Sequence, residues 1–198
     1  MNINRGRALG VLIVALTVGA WTIATHPLTL TSESRLWVDG TSTIKSFSCK
    51  AAVVDATIET LVDNPVAALL GGANVVKTLA FTVPADKLDC GNGTMNGHML
   101  KAIKAKDHPV IAFSLDTYAI TTAADSSTVT LRGTLTLGGV AKPVVMDARL
   151  SSVPDGALRV AGMYEINMKD YELKPPSLML GTMMVREKVK VNFNLVLR

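Results

Sequence analysis

Hydrophobic and polar residues alternate along much of the chain, most clearly near its C-terminal end. In residues 188–197, apolar side chains occupy every second position, and lysines and asparagines fill most positions between them. Successive side chains of a β-strand point to opposite faces of its sheet, so this pattern predicts a strand with one apolar and one wet face. Residues 128–137 and 144–150 alternate similarly, and Gly138-Gly139 between them predicts a hairpin turn.

Shorter runs of the same kind predict further strands. They lie at 36–62, which is long enough for two strands with a break near Gly40, and at 79–83, 111–115 and 158–166. Together the runs predict an all-β protein of about eight antiparallel strands, without βαβ alternation. Eight strands can close into a barrel that is just wide enough to fill itself or to hold one small ligand. The pattern alone leaves a sandwich open as an alternative.

Two segments depart from the strand pattern. Residues 94–105 carry apolar side chains at helical spacing and predict a short helix. Residues 174–181 include Pro175 and Pro176, which lack the N–H group that an interior strand must donate. We therefore predict a loop there.

The first 24 residues differ from the rest of the chain. Arg5 and Arg7 precede an almost wholly apolar run at 8–24, which is typical of a secretory signal peptide. The run is also close to the roughly 17 residues that a membrane-spanning helix needs, so an uncleaved N-terminal anchor is the alternative. In either case we predict that residues 25–198 form one domain on the far side of the membrane.

The charge balance and the cysteines narrow the classes of function. The formal net charge is +4 and falls to +2 without Arg5 and Arg7, which does not indicate a nucleic-acid-binding surface. Cys49 and Cys90 form an even pair, which suggests a disulfide in an oxidising compartment. Two buried free thiols are the alternative.

Residue types that carry catalysis or bind metals occur without the spacing that such sites need. His26, His98 and His108 have no second ligand at metal spacing, and no G-x-S-x-G sequence offers a serine nucleophile. The acid pair Asp86 and Asp89 lies in a predicted polar loop, with nothing to hold the two carboxylates across a cleft. We therefore predict no enzymatic activity, no metal and no cofactor.

The chain has nine methionines but only four phenylalanines, three tyrosines and two tryptophans. Methionine adapts to flexible apolar ligands as readily as it fills irregular space in a core. A cavity lined by aliphatic and thioether groups suits an aliphatic chain better than stacked bases or sugars. Ordinary core filling is the alternative.

Four segments of the chain resemble the YceI-like family. They are 36–42 (L-W-V-D-G-T-S), 95–113 with its K-A-I-K-A and H-P-V-I-A-F sequences, 133–144 (G-T-L-T-L-G-G-V-A-K-P-V), and 167–171 (N-M-K-D-Y) with the closing strand. The third is the most specific, since it fits the family's G-x-L-T-x-x-G-V-x-K-P-V hairpin. The resemblance covers residues 33–198.

This resemblance implies an eight-stranded, lipocalin-like antiparallel barrel with a short helix near one mouth. It also implies a polyisoprenoid or similar amphiphilic lipid in the lumen, in the bacterial periplasm, with no metal and no catalytic group. If residues 8–24 were retained, the domain would be anchored to the inner membrane. The chain departs from the commonest family pattern at Met168-Lys169 and in residues 174–181, which bears on the identity of the lipid.

Positions that alternate toward the interior form the candidate ligand-binding set. They are Leu79, Phe81, Ile111, Phe113, Leu135, Met146, Tyr164, Met179 and Phe193. Trp37 and Leu100 are placed near the mouth. Two other functions stay open: an enzyme acting on a lipid or amide, which needs polar groups inside the barrel, and a structural or adaptor protein with a filled barrel.

Overall fold

Antiparallel strands make up most of the structure, a computed structural model that describes residues 25–123, 126–178 and 183–198. The strands are β1 (His26–Pro27), β2 (Arg35–Thr41), β3 (Ser46–Ala51), β4 (Asp55–Thr60), β5 (Val76–Pro84), β6 (Leu88–Asp89), β7 (Val110–Ala123), β8 (Ser126–Leu137), β9 (Val140–Val153), β10 (Ala157–Asn167), β11 (Ser177–Leu178), β12 (Met183–Met184) and β13 (Lys188–Leu197). The α-helices are α1 (Pro65–Leu70) and α2 (Gly93–Ala102). Short 3-10 helices lie at Ala85–Lys87, Pro154–Gly156 and Met168–Tyr171.

Eleven of these strands form one antiparallel sheet that curls on itself, in the order β1-β4-β5-β7-β8-β9-β10-β13-β2-β3-β6. Residues 26–31 link two distant strands of this order. The N–H of Leu28 donates to the carbonyl of Ile58 in β4 at 3.0 Å, and Thr29 and Arg198 exchange two backbone bonds of 2.7 and 3.0 Å beyond the end of β13. The segment therefore connects β4 with the end of β13, which lie on opposite sides of the curled sheet. The prediction of an all-β, barrel-like fold is confirmed.

The predicted number of eight strands is corrected to eleven. Residues 36–62 hold three strands rather than two, because the chain turns at 42–45 and again at 52–54. Gly40 does not break a strand; it lies inside β2 and pairs with Phe47 of β3. The other additions, β1 and β6, are two residues long, too short to show alternation.

One end of the curled sheet is closed by α1. Leu69 of this helix is buried in a core cluster with Leu28, Ile58 and Leu197. Pro65 begins the helix, where its fixed φ suits the first turn and its missing N–H costs no hydrogen bond. We call this the closed end.

The predicted helix at 94–105 is confirmed as α2. This helix lies at the end of the sheet opposite to α1, because β5 begins next to α1 and runs toward α2. Asn92 caps the helix by accepting a hydrogen bond from the N–H of Met95 at 3.1 Å. No residue of α2 is fully buried. The Cys49–Cys90 disulfide joins β3 to the segment that leads into this helix. We call this end the mouth.

The segment predicted as a loop at 174–181 contains β11, which pairs with β12 in a separate two-stranded sheet. Pro175 and Pro176 precede β11 rather than lying within it, so the missing donors interrupt no ladder. Residues 179–182 lie outside the described part of the chain.

Three phenylalanine rings lie over inward-facing glycines of a neighbouring strand. The pairs are Phe47 over Gly40, Phe113 over Gly133 and Phe193 over Gly162. A Cβ atom at Gly133 would stand 2.7 Å from the ring of Phe113, and one at Gly162 would stand 2.6 Å from the ring of Phe193. Each ring therefore occupies wall space that a side chain on the neighbouring strand would otherwise fill.

We expect Gly162→Ala to destabilise the fold by about 1–3 kcal/mol, the usual range for overpacking. The new Cβ would meet the backbone oxygen of Asp147 at 2.7 Å as well as the Phe193 ring. The three atoms nearest to a Cβ at Gly40 all belong to the ring of Phe47, which can turn, so the cost of Gly40→Ala should be smaller. The free energy of unfolding from urea titration measures both.

Gly97→Ala in α2 is the control for this pair, because nothing lies within 4 Å of its new Cβ. Alanine is the better helix former, so this change should stabilise by up to about 1 kcal/mol. Equal stabilities for the Gly162 and Gly97 variants would contradict the packing described here.

Candidate functional site

A continuous cavity of about 690 Å³ occupies the interior of the curled sheet. At the closed end it reaches Leu28 and Leu69, and at the mouth it reaches Met95 and Met99 of α2. The strands between supply an almost wholly aliphatic and aromatic wall. The side chains of the sheet thus face a shared interior that they do not fill.

Strand alternation explains why this wall is apolar. In β8, Val129, Leu131, Leu135 and Leu137 line the cavity, and the threonines between them face outward. The same period of two places Val189, Val191, Phe193, Leu195 and Leu197 of β13 on the wall. A shift of one residue in register would exchange the two faces of a strand, so burial of the apolar face holds the register.

The structure places most of the predicted binding residues on this wall. They are Leu79, Phe81, Ile111, Phe113, Leu135, Met146, Tyr164 and Phe193. Met146 packs against both core clusters, one at the closed end and one nearer the mouth, and so lies midway along the cavity. The role of these residues in binding a ligand stays a prediction, and Met179 lies outside the described residues.

Trp37 does not line the cavity. Its indole N–H donates to Oδ2 of Asp39 at 3.0 Å, and Asn192 donates to the same oxygen at 2.9 Å. These three residues lie on the outer face of β2 and β13, whereas Leu36 and Val38 face inward. The alternation of β2 predicts this outcome. Leu36, Val38 and Gly40 occupy every second position and face inward, whereas Trp37 lies between them and faces outward.

Leu100 does not line the cavity either. It faces a surface hollow beside α2, together with Lys101 and Pro109. Helical spacing explains the difference: Met95, Met99 and Ala102 follow each other at four and three residues along one face, and Leu100 falls on another.

Several wall residues at the mouth were not predicted, namely Ser42, Lys45, Phe47, Asn92, Thr94 and His98. Most come from turns and from the start of α2, where no alternation marks a face. Among the described wall residues, Lys45 is the only one with a permanent charge. The polar groups of the wall are thus concentrated at the mouth, and the interior below it is apolar apart from the phenols of Tyr118 and Tyr164.

Comparison with known proteins identifies the family. The YceI-like domain family matches residues 24–197 of this chain. The chain belongs to the YceI-like family. No curated protein matches it.

Solved structures of bacterial proteins share the YceI-like fold. BcnA of Burkholderia cenocepacia matches with a TM-score of 0.66 and 16% identity, covering 84% of this chain and 98% of that one. A polyisoprenoid-binding domain of Saccharophagus degradans, implicated in plant cell wall breakdown, matches at 0.61 and 14%, covering 89% and 99%. The YceI protein of Campylobacter jejuni matches at 0.53 and 18%, covering 96% and 91%. At these identities the likeness shows a shared fold.

Three tyrosines of this YceI-like domain are partly or fully buried, and burial raises the pKa of each. Tyr118 lines the cavity, and its hydroxyl oxygen accepts a hydrogen bond from the N–H of Val76 at 2.7 Å, which only partly offsets the upward shift in pKa. The pKa of Tyr164, also on the wall, is raised by burial and then by the charge of Asp170. Tyr171 is buried beside the mouth, and burial raises its pKa to about 12. All three phenols are therefore neutral at physiological pH.

Across residues 25–123, 126–178 and 183–198, no three His, Cys, Asp or Glu side chains come together as metal ligands. Over the same ranges, no helix combines the length and the apolar character needed to cross a bilayer.

We expect Tyr171 to ionise last of the three tyrosines. Its pKa is about 12 in the folded protein against an ordinary value of 10.0, so its contribution to stability is complete below pH 10 and is lost as pH rises through 12. The ultraviolet absorbance of phenolate measures the titration. Tyr171→Phe should remove the last step and leave the two earlier ones, whereas an unchanged last step would contradict this assignment.

Proposed function

We propose that this YceI-like protein binds a polyisoprenoid or a related long-chain amphiphilic lipid in its lumen. It acts as a carrier or sequestering protein of the cell envelope and catalyses no reaction. The observation that carries this proposal is the apolar cavity of about 690 Å³, capped by α1 at one end and reached past α2 at the other. The relative from Saccharophagus degradans, described as a polyisoprenoid-binding domain, supports the same ligand class.

Burial of hydrocarbon supplies the affinity in this proposal. Each buried methylene stabilises a complex by about 0.8 kcal/mol, so a five-carbon isoprene unit contributes roughly 4 kcal/mol before costs. Ordering a flexible group costs about 0.5–1.5 kcal/mol. A chain of several units therefore keeps a net gain, provided that it finds an interior already free of side chains.

The distribution of polar groups sets the orientation of the ligand. The tail enters toward Leu28 and Leu69, and the head group stays near Ser42, Lys45 and His98 at the mouth. Specific ligand sites commonly pair an apolar pocket with a few polar groups that fix orientation. The ligand is thus an amphiphile rather than a plain hydrocarbon.

The wall chemistry favours binding over catalysis. The phenols of Tyr118 and Tyr164 are neutral, and the hydroxyl of Tyr118 is occupied by the N–H of Val76. The hydroxyl of Ser42 on the wall donates to the carbonyl of Lys45 at 2.9 Å rather than to His98, whereas an acyl-transfer site needs a nucleophile hydrogen-bonded to its base. A filled barrel is disfavoured by the volume of the cavity itself.

The envelope location is supported by the sequence of residues 1–24, with its basic start and apolar run. The Cys49–Cys90 disulfide agrees with an oxidising compartment, because cytosolic thiols are kept reduced.

Met146→Trp tests the proposal by placing a larger ring midway along the lumen. We expect the lipid recovered per protein molecule to fall at least about tenfold, which corresponds to the loss of two buried methylenes. Mass spectrometry of an organic extract of the purified protein measures the lipid. Urea titration of the same sample confirms that the variant is folded.

The matched control is Val145→Trp on the neighbouring residue. Val145 is 50% exposed on the outer face of β9, so its substitution should leave the bound lipid unchanged. Repeated absence of any isoprenoid or fatty species from the unsubstituted protein would overturn the proposal, as would equal loss of lipid in both variants.

A further inference from the structure

The rim of the mouth exposes two large apolar side chains on adjacent segments. Ile44, in the turn between β2 and β3, is 60% exposed, and Met184 of β12 is 49% exposed. The two segments are adjacent, because the N–H of Thr43 donates to the carbonyl of Met184 at 3.0 Å. We call residues 41–46 together with 184–186 the lip.

Backbone hydrogen bonds fix the lip in place. Ser42 and Val185 form an antiparallel bridge, and the N–H of Arg186 donates to the carbonyl of Thr41 at 2.8 Å. The N–H of Val185 donates in turn to the carbonyl of Pro176 at 3.0 Å. The exposure of Ile44 and Met184 is therefore set by the architecture of the mouth.

The charged side chains of the lip are both positive. Lys45 and Arg186 are exposed, and within the described residues neither forms an ion pair. No aspartate or glutamate occurs in 41–46 or 184–186, and Glu187, which follows Arg186, is paired with Lys169. Ser42, Lys45 and Val185 also line the cavity, so this basic, apolar surface is continuous with the entrance to the lumen.

We propose that the lip docks on the surface of an anionic phospholipid bilayer. Ile44 and Met184 enter the boundary between head groups and acyl chains, and Lys45 and Arg186 meet the lipid phosphates. Peripheral proteins bind membranes through this combination of apolar side chains and flanking cations. Docking brings the mouth to the bilayer, so that a lipid moves between membrane and lumen without crossing water.

The closed end offers the comparison surface. Leu61 is exposed there to 45%, similar to Met184. Its neighbour Asp63 has a side chain that is 90% exposed, and it pairs with His26 at 2.9 Å. An exposed carboxylate beside the apolar residue is repelled by anionic lipid, so the charge complementarity selects the lip. The docking surface is inferred from the side chains of the lip alone. Its use in lipid exchange rests on the proposed function.

The first experiment locates the contact with tryptophan probes in the full chain. Ile44→Trp and Leu61→Trp are each mixed with vesicles of phosphatidylglycerol that contain brominated acyl chains, and the fluorescence of the unsubstituted protein is subtracted. We expect quenching of the probe at position 44 and little at position 61. Quenching at position 61 alone, or at neither position, would overturn the proposal. The comparison holds whether or not residues 1–24 remain on the protein, because both variants share them.

The second experiment tests the charge. The double variant K45E/R186E should lower partitioning onto phosphatidylglycerol vesicles by about tenfold or more, since each cation contributes several-fold to binding an anionic surface. K77E, at an exposed lysine near the closed end, is the control and should change partitioning little. Raised salt or vesicles of phosphatidylcholine alone should weaken binding of the unsubstituted protein. Equal effects of the two charge changes would contradict the assignment.

Three further outcomes distinguish membrane docking from self-association and from lipid binding without docking. If light scattering showed that the unsubstituted protein self-associates and that Ile44→Asp abolishes the association, the lip would be an interface between copies of the chain, and docking would be overturned. If organic extracts contained lipid but the probe at position 44 gave no quenching, lipid binding would survive without membrane docking. Quenching at position 44 in protein that yields no lipid would keep the docking surface and remove the lipid-carrying role.

Discussion

Apolar side chains at alternate positions of the long strands need to leave water, and this requirement shapes the whole domain. A single hairpin would expose one apolar face, and burying such a face is the main stabilising contribution to folding. Curling the sheet places the inward faces of β5, β7–β10 and β13 opposite one another. Residues 26–31 then form backbone hydrogen bonds with both β4 and the end of β13. Backbone groups along these two strand edges therefore have partners.

The same residues that build the wall keep its interior open. Three of the four phenylalanines in the chain lie over glycines of adjacent strands, so their rings follow the wall instead of requiring space beside another side chain. Helix α1 seals one end with Leu69, whereas α2 contributes a partly exposed methionine face at the other. A single entrance direction and an apolar depth are the two properties that an amphiphile-binding lumen needs.

Alternation in the sequence was enough to identify the strands of the second half of the domain and to choose candidate residues most of which lie on the wall, because each strand is long and its two faces differ strongly. The same rule misplaced the early strands. Gly40 was interpreted as a break, although it faces inward beneath Phe47. Trp37 was placed near the mouth, although its parity opposes that of Leu36 and Val38 and its indole N–H donates to Asp39.

Features that depend on turns could not be predicted from periodicity. The two-residue strands β1 and β6 arise from contacts with distant segments, and the lip arises because the turn after β2 meets residues 184–186 from the far end of the chain. The entrance to the lumen therefore depends on tertiary contacts, whereas the apolar strand faces that line the lumen can be recognised from the local sequence.

The central claim is that a lipid chain occupies this interior. A crystal structure of the protein purified from its native host tests the claim most directly. The expected result is elongated density that runs from Lys45 and His98 at the mouth, past Met146, toward Leu69. An interior in which the wall side chains have collapsed together, or one that holds only ordered water, would contradict the account.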